Sequence, residues 1–177
     1  MTCTLNKELI EKTIAFHGHS CPGLTIGIRA SELAMEILDI HNVINPVCVV
    51  ETDMCGVDAI QFLTGCSFGK GNLIHKDYGK SAFTFYDRDA KKGFRDVFND
   101  FARGETDRSN RIEQLLEADL TDLFTMQQVT IPPVRPARIL NSIPCDTCLE
   151  MTMESRIRLF DGKNLCIPCF KAVEQKI

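Results

Sequence analysis

Three side chains that can bind a metal lie close together in the segment FHGHSCPG, at His17, His19 and Cys21. Alternate side chains of an extended backbone point to the same side, and Pro22 disfavours helical geometry at Cys21. Imidazole and thiolate groups suit transition metals such as zinc, nickel and iron. The spacing therefore predicts a metal centre in an extended loop between two helices. If Pro22 begins the second helix, the helix dipole stabilises a thiolate at Cys21, which favours a ligand or a nucleophile equally.

A further thiol that can join this centre is Cys55, in the segment ETDMCGVDAIQFLTGCSFGKGNL. It follows a predicted strand and begins a predicted helix. Layered α/β structures place their ligands at the carboxyl ends of strands. We therefore expect Cys55 to face the loop that carries His19 and Cys21.

Polar residues near Cys55 are candidates for proton transfer and substrate binding. Asp53 and Asp58 flank it, and either is a candidate general base or a partner that orients His19. Lys70 lies in a glycine-rich stretch whose backbone N–H groups suit a carboxylate or phosphate, so an anionic substrate is expected there. The candidate catalytic residues are thus Cys55, Asp53 and Lys70. Four other residues are expected to be structural: Cys3, Cys48, His41 and His75.

The C-terminal part contains two Cys-x-x-Cys pairs separated by 17 residues. Two such pairs can close four thiolates into a tetrahedron around Zn²⁺. Between them, SRIRLFDGKNLC predicts two strands joined by a turn at Asp161 and Gly162. A module of about 35 residues is too small to be held by its own core, so zinc would supply much of its folding free energy. The predicted structural zinc ligands are Cys145, Cys148, Cys166 and Cys169.

Hydrophobic periodicity predicts the elements that position these residues. Short runs of β-branched or alternating aromatic residues predict strands within 45–53 and 81–87. Helices alternating with a few strands predict an α+β fold, with a layered core domain of helices and a small β-sheet. Five segments are predicted to be helical: 5–16, 24–38, 55–65, 89–103 and 107–126.

Prolines and cysteines divide the chain into two parts. The segment VTIPPVRPARILNSIP contains four prolines, which favour an extended backbone. We predict a core domain over 1–130, a proline-rich linker over 131–143 and a small zinc-ribbon domain over 144–177.

The composition excludes several classes of protein. Hydrophobic residues at 44% and charged residues at 25% of the 177 positions are ordinary for a globular protein. A formal net charge of -4 offers no broad positive field, so nucleic acid is not an expected partner. No stretch approaches the roughly 20 apolar residues of a membrane span, and charged residues interrupt the N-terminal segment. Nine cysteines then indicate a reducing compartment, so we expect a cytoplasmic protein.

Several motifs together resemble the FmdE family of formylmethanofuran dehydrogenase subunits: FHGHSCPGL, TDMCGVDAIQFLTGCSFGKGNL, YGKSAFTFYD and the terminal pair of Cys-x-x-Cys motifs. The resemblance spans about 12–170. It implies an α+β core followed by a zinc ribbon, assembly as a homodimer, and a core metal bound by His19, Cys21 and Cys55 with His17 close by. The family name refers to molybdenum or tungsten enzymes that reduce carbon dioxide to a formyl group on methanofuran, so a larger dehydrogenase of this kind is an implied partner.

The sequence leaves several functions open. The first hypothesis is a metal-dependent enzyme or an accessory subunit in one-carbon or redox metabolism, with a three-ligand core site that keeps one position open. The alternative is a non-catalytic metal or cofactor carrier, or an adaptor that docks through its zinc ribbon onto a larger dehydrogenase. A third is thiol redox chemistry between Cys55 and Cys66. Nucleic-acid binding by the ribbon would depend on four arginines: Arg135, Arg138, Arg156 and Arg158.

Overall fold

A computed structural model of the chain describes residues 2–102, 104–130 and 139–173. It divides the chain into two units, Met1–Ala137 and Arg138–Ile177. The predicted linker over 131–143 lies for the most part outside the described residues, and its last two positions begin the first strand of the second unit. In the described part of the chain, no helix combines the length and apolar character needed to cross a membrane.

The described residues of the first unit form five helices and five strands. The helices are Lys7–His17 (α1), Pro22–Leu38 (α2), Gly56–Thr64 (α3), Arg108–Glu117 (α4) and Leu120–Leu123 (α5). The strands are Pro46–Val50 (β1), Leu73–His75 (β2), Ala82–Asp87 (β3), Lys92–Phe98 (β4) and Phe124–Val129 (β5).

The first three helices begin and end at residues suited to helix ends. The Asn6 side chain accepts a hydrogen bond from the Leu9 N–H at 2.7 Å and so caps α1. Gly18 ends α1 in the left-handed conformation, with φ of 94°. Cys21 caps α2, and Gly65 ends α3 with φ of 68°. The helices predicted over 5–16, 24–38 and 55–65 are confirmed to within two residues at each end.

The five strands form one sheet in the order β2-β1-β3-β4-β5. Strands β1 and β2 are parallel and α3 connects them, whereas the other neighbours are antiparallel. Residues of α2 and α3 pack with Cys48, Val50, Phe83 and Phe85 in the main hydrophobic core. The α+β fold class is therefore confirmed.

Two predictions of secondary structure are wrong. The segment 89–103, predicted to be helical, contains strand β4, where Phe94 pairs with Phe85 of β3. The segment 107–126, predicted as one helix, leaves the helical conformation at Ala118, and after the short helix α5 it becomes strand β5. In both segments the pairing of strands in the sheet prevails over local helical spacing.

Helices α2 and α3 approach each other through glycines. A Cβ on Gly27 would lie 2.6 Å from the Cα of Gly56 and would overlap its carbonyl oxygen. A Cβ on Gly56 would lie 3.0 Å from the carbonyl oxygen of Gly23. The close contact brings the first residues of α2 and α3 together, and those residues follow Cys21 and Cys55.

A buried ion pair on α2 fastens two other segments of the first unit. Arg29 is 1% exposed and donates to the carbonyl oxygens of Leu116 at 2.9 Å and Ala118 at 2.6 Å. Its partner Glu32 is 2% exposed and accepts from both the N–H and the hydroxyl of Thr4. The pair thus holds the N-terminal segment and the end of α4 against α2.

Asp96 makes the stability of the core depend on pH. It is fully buried on β4; one carboxyl oxygen accepts from the Phe83 N–H at 3.1 Å, and the other has no hydrogen-bond partner among the described residues. Burial raises the pKa of Asp96 well above its usual value. The folded chain therefore keeps a proton that the unfolded chain releases at about pH 4.

We accordingly expect the free energy of unfolding to fall as the pH rises from about 4 towards the folded pKa of Asp96, by up to about 1.4 kcal/mol per pH unit. Asp96→Asn removes this titration, because the side-chain amide does not ionise in this pH range. Urea titrations of both proteins at about pH 5 and about pH 7 measure the difference. Equal pH dependence in the two proteins would show that Asp96 is ionised in the folded state.

The described residues of the second unit form two hairpins and a short helix. Strands Ser142–Pro144 (β6) and Met151–Met153 (β7) make the first hairpin, and Ile157–Phe160 (β8) and Lys163–Cys166 (β9) make the second. The short helix Ile167–Ala172 (α6) follows. The predicted turn at Asp161 and Gly162 is confirmed, since both residues have positive φ values and join β8 to β9.

Candidate metal centre

Four side chains of the first unit converge on one point. The candidate ligand atoms of His17, His19, Cys21 and Cys55 all lie within 4.8 Å of one another. His17 is the last residue of α1, His19 lies in the connection that follows, Cys21 caps α2 and Cys55 directly precedes α3. The predicted convergence is thus present, although His17 belongs to a helix and not to an extended loop.

A carboxylate orients one of the two histidines. His17 Nδ1 donates to Asp58 Oδ2 at 2.7 Å, which leaves Nε2 facing Cys21 Sγ at 3.9 Å. The hydrogen bond to Asp58 raises the pKa of His17. In the neutral imidazole it keeps the proton on Nδ1, so that the lone pair of Nε2 is available to a metal. A carboxylate in this position is the usual second partner of a histidine that binds a metal. Asp58 therefore orients His17, not His19 as the sequence predicted.

The two thiols of the site differ in their readiness to ionise. Burial of Cys21 disfavours its thiolate, but the hydrogen bonds from the Leu24 N–H and the Cys55 thiol, together with the contact with His17, outweigh burial and lower the pKa of Cys21. The side chain of Arg108, the first residue of α4, also lowers the pKa of Cys21. Burial and the neighbouring Cys21 raise the pKa of Cys55. Cys21 is therefore the first of the two thiols to become a thiolate.

The geometry and chemistry of the four donors fit a transition metal. Metal–sulfur bonds of about 2.3 Å and metal–nitrogen bonds of about 2.0 Å give tetrahedral edges of roughly 3.3 to 3.8 Å. The distance of 3.9 Å between His17 Nε2 and Cys21 Sγ is close to such an edge. Two thiolates also balance the charge of a divalent ion. The donor set is of the kind that binds zinc, nickel or iron.

A cavity of about 420 Å³ adjoins the site at His17 and Cys55. It lies at the carboxyl ends of the parallel strands β1 and β2, where ligands bind in layered folds. Asp53 and His75 line it together with apolar residues such as Phe68. Its volume lies in the range of small-molecule sites.

The structure brings Asp53 to the cavity but not Lys70. The ammonium of Lys70 donates to the carbonyl oxygen of Gly65 at 2.9 Å, at the end of α3 opposite Cys55.

Cys66 follows Gly65 at that same end, about 13 Å along the helix from Cys55. These two thiols therefore do not lie together as redox chemistry would require. His75, which the sequence analysis expected to be structural, lines the cavity. It does so because strand β2 pairs with β1, and the sequence patterns did not reveal β2.

Asp58→Asn is expected to weaken metal binding at this site about 10- to 100-fold, because asparagine no longer supplies the carboxylate that orients and polarises His17. Competition between the protein and a chromophoric chelator measures the change. Asp53→Asn is the matched control, since Asp53 lines the same cavity but makes no described hydrogen bond to a ligand. Equal effects of the two substitutions would contradict the assigned role of Asp58.

The second unit contains the other metal-binding group. The sulfur atoms of Cys145, Cys148, Cys166 and Cys169 all lie within 4.8 Å of one another. Cys148 and Cys166 are 3.8 Å apart, which is about the edge of a tetrahedron of sulfur atoms around zinc. Hydrogen bonds from the backbone N–H groups of Cys148 and Cys166 lower the pKa of Cys145 to about 6. The Cys169 thiol donates to the neighbouring sulfur atoms, first of all that of Cys166, and this raises the pKa of Cys169 to about 12.

Only two of the four arginines on which nucleic-acid binding would depend are described. Arg156 and Arg158 are exposed, and Arg135 and Arg138 lie outside the described residues.

Two family models match the chain. Residues 16–130 match the model described as FmdE, molybdenum formylmethanofuran dehydrogenase operon. Residues 138–175 match the prokaryotic dksA/traR C4-type zinc finger. The first match contains all four candidate ligands of the first unit, and the second contains all four cysteines of the second.

The chain is also similar to two individual proteins. A probable S-adenosyl-L-methionine-binding protein of Archaeoglobus fulgidus is 28% identical over an alignment of 195 residues, which covers 92% of this chain and 52% of the relative. The chain therefore spans about half the length of that relative. The crystal structure of a tungsten formylmethanofuran dehydrogenase FmdE-like protein from Syntrophus aciditrophicus shares the fold, with a TM-score of 0.74 and 24% identity, over 99% of this chain and 100% of that one.

Proposed function

The chain belongs to the FmdE family, and on that premise we propose that it is a metalloprotein of one-carbon or redox metabolism. It acts through its core site, as a metal-dependent enzyme or as an accessory subunit of a larger dehydrogenase. The cavity is the observation that carries the proposal. A metal that only stabilised the fold would need no cavity of about 420 Å³ against two of its ligands, His17 and Cys55.

The residues of the site have distinct tasks in this proposal. His17, Cys21 and Cys55 hold the metal, and Asp58 keeps His17 in the binding tautomer. A bound divalent transition metal supplies Lewis-acid chemistry, or electron transfer if it is redox-active. His19 is a fourth ligand.

Proton transfer falls to the residues on the cavity wall. Asp53 and His75 line the cavity, and each can accept or return a proton of a bound substrate. The described lining contains Asp53 and Asp58 but no lysine or arginine. The cavity thus favours a neutral or cationic substrate, in contrast to the anionic substrate that the sequence suggested around Lys70.

The second unit serves for assembly in this proposal. A four-cysteine site with zinc bound has no open coordination position, so its use is structural. The family takes its name from a molybdenum dehydrogenase operon, and the similar solved structure is named after a tungsten enzyme, which supports a larger enzyme of this kind as a partner. The homodimer stays a prediction from the family resemblance. Nine cysteines favour a reducing compartment such as the cytoplasm.

A ligand screen on the metal-loaded protein tests the proposal. Saturation-transfer NMR with neutral N-formyl amines and pterins is compared for wild type and His17→Ala. We expect at least one compound to bind wild type and to lose binding in the variant. If none binds wild type, the site does not act on free small molecules of this class, and the accessory-subunit role takes precedence.

A second candidate function is binding of S-adenosyl-L-methionine, which the name of the Archaeoglobus fulgidus relative suggests. The acidic cavity favours it, because the sulfonium group of that molecule is cationic. Titration calorimetry with S-adenosyl-L-methionine and with S-adenosyl-L-homocysteine, which lacks the sulfonium charge, isolates the contribution of that charge. This candidate predicts tighter binding of the sulfonium compound and loss of the preference in Asp53→Asn. Absence of binding by both compounds dismisses it.

A further inference from the structure

The fold holds three of the four candidate core ligands firmly. The imidazole of His17 is fixed by Asp58 at 2.7 Å. Cys21 is 3% exposed, and its sulfur accepts a backbone N–H at 3.3 Å. A Cβ on Gly23 would lie only 3.3 Å from the Cβ of Cys55, so the packing of α2 against α3 leaves Cys55 little freedom. Each of these ligands is positioned by something other than the metal.

His19 has none of these supports. It is exposed, in the short connection between Gly18, which ends α1, and Cys21, which caps α2. Within the described residues its side chain has a ring contact with His17, with centroids 4.5 Å apart, and no hydrogen bond. A histidine that binds a metal usually donates its second N–H to a carboxylate, a backbone carbonyl or water, which orients the ring and increases its basicity. His17 has such a carboxylate, and His19 does not.

The charge of the site does not depend on His19 either. The thiolates of Cys21 and Cys55 balance a divalent ion, and both imidazoles bind as neutral groups. Loss of a thiolate would leave a net positive charge in a partly buried site, which is costly. Loss of an exposed imidazole leaves the charge balanced and exposes only a position that solvent or a small ligand can fill.

We propose that His19 is a displaceable ligand: it completes the core site at rest and leaves when a substrate or another small donor binds, while His17, Cys21 and Cys55 retain the metal. This inference rests on the proposed function, that the core site holds a metal and acts on a small molecule. It explains how four converging donors are compatible with catalysis, which needs an open coordination position. It reverses the ligand set that the family resemblance implied, in which His19 binds the metal and His17 lies close by.

The test compares His19→Ala with His17→Ala in the full chain, with His41→Ala as the matched control because His41 is exposed and outside the ligand group. Chelator competition gives the affinity for Co²⁺, and visible absorption of the cobalt protein reports its coordination. Subtracting the wild-type spectrum removes the contribution of cobalt bound to the four cysteines of the second unit. Azide serves as the small ligand. Asp58→Asn provides a second way to weaken His17 if His17→Ala does not fold.

We expect His19→Ala to keep cobalt affinity within about 10-fold of wild type and His17→Ala to lose about 100-fold or more. We also expect azide to change the cobalt spectrum of His19→Ala at lower concentrations than in wild type. Equal losses in the two histidine variants, or an azide response that His19→Ala leaves unchanged, overturn the inference. If wild type binds cobalt only at the four cysteines of the second unit, the proposed function itself fails. That outcome is distinct because it is seen in wild type, before any substitution is made.

Discussion

Replacing Gly27 with alanine is expected to destabilise the first unit by more than about 3 kcal/mol, beyond the usual cost of an overpacked core. The new Cβ would overlap the backbone of Gly56, which cannot move away as the end of a side chain could. Helix α3 must therefore shift away from α2, and Cys55 must move away from Cys21. Loss of core-metal affinity should accompany the loss of stability.

The matched control for this substitution is Gly69→Ala, because a Cβ on Gly69 meets no atom within 4 Å and its φ is not in the left-handed region. Denaturant unfolding measures stability, and chelator competition measures metal affinity in the same samples. A Gly27→Ala protein with wild-type stability and metal affinity would contradict the close glycine contact between α2 and α3.

Removing the metal from the second unit is expected to unfold residues 139–173. The buried apolar cluster of this unit consists mainly of Cys145, Leu165 and Cys166, two of which are metal ligands. Metal binding in such small four-ligand modules has an apparent free energy of about 10 to 16 kcal/mol, and the apo modules are unfolded. The edge contact of Phe160 with Phe170, at 5.8 Å between centroids, should be lost with it.

Amide hydrogen exchange over 139–173 measures this change for wild type, for Cys145→Ser/Cys148→Ser and for wild type treated with a strong chelator. We expect β8 and β9 to lose protection in the latter two samples. Cys3→Ser is the control, because it removes a thiol outside both ligand groups. Full protection of the hairpin without metal would show that its apolar contacts suffice to fold it.

Much of the core site could be predicted from the sequence because its ligands lie next to strong local signals. Pro22 and Gly65 mark helix ends, and the run NPVCVV marks the strand that precedes Cys55. These signals place Cys21 and Cys55 at the starts of two helices, which is where the structure has them.

Contacts between distant segments could not be predicted in the same way. The three-residue strand β2 is too short to show a periodic pattern, so the position of His75 at the cavity depends on its pairing with β1. The partner of Asp58 is set by the packing of α3 against α1, and spacing along the chain does not distinguish His17 from His19. Lys70 lies in the glycine-rich stretch that the sequence indicated, but its ammonium binds the end of α3.

The presence of two independent metal centres is tested most directly by elemental analysis of full-length protein purified without chelator. Wild type is compared with Cys145→Ser/Cys148→Ser and with His17→Ala/Cys21→Ser. We predict two metal equivalents per chain in wild type, one for each ligand group, and the loss of a different equivalent in each double variant. If His17→Ala/Cys21→Ser retains the full metal content of wild type, the four converging side chains of the first unit do not form a metal centre.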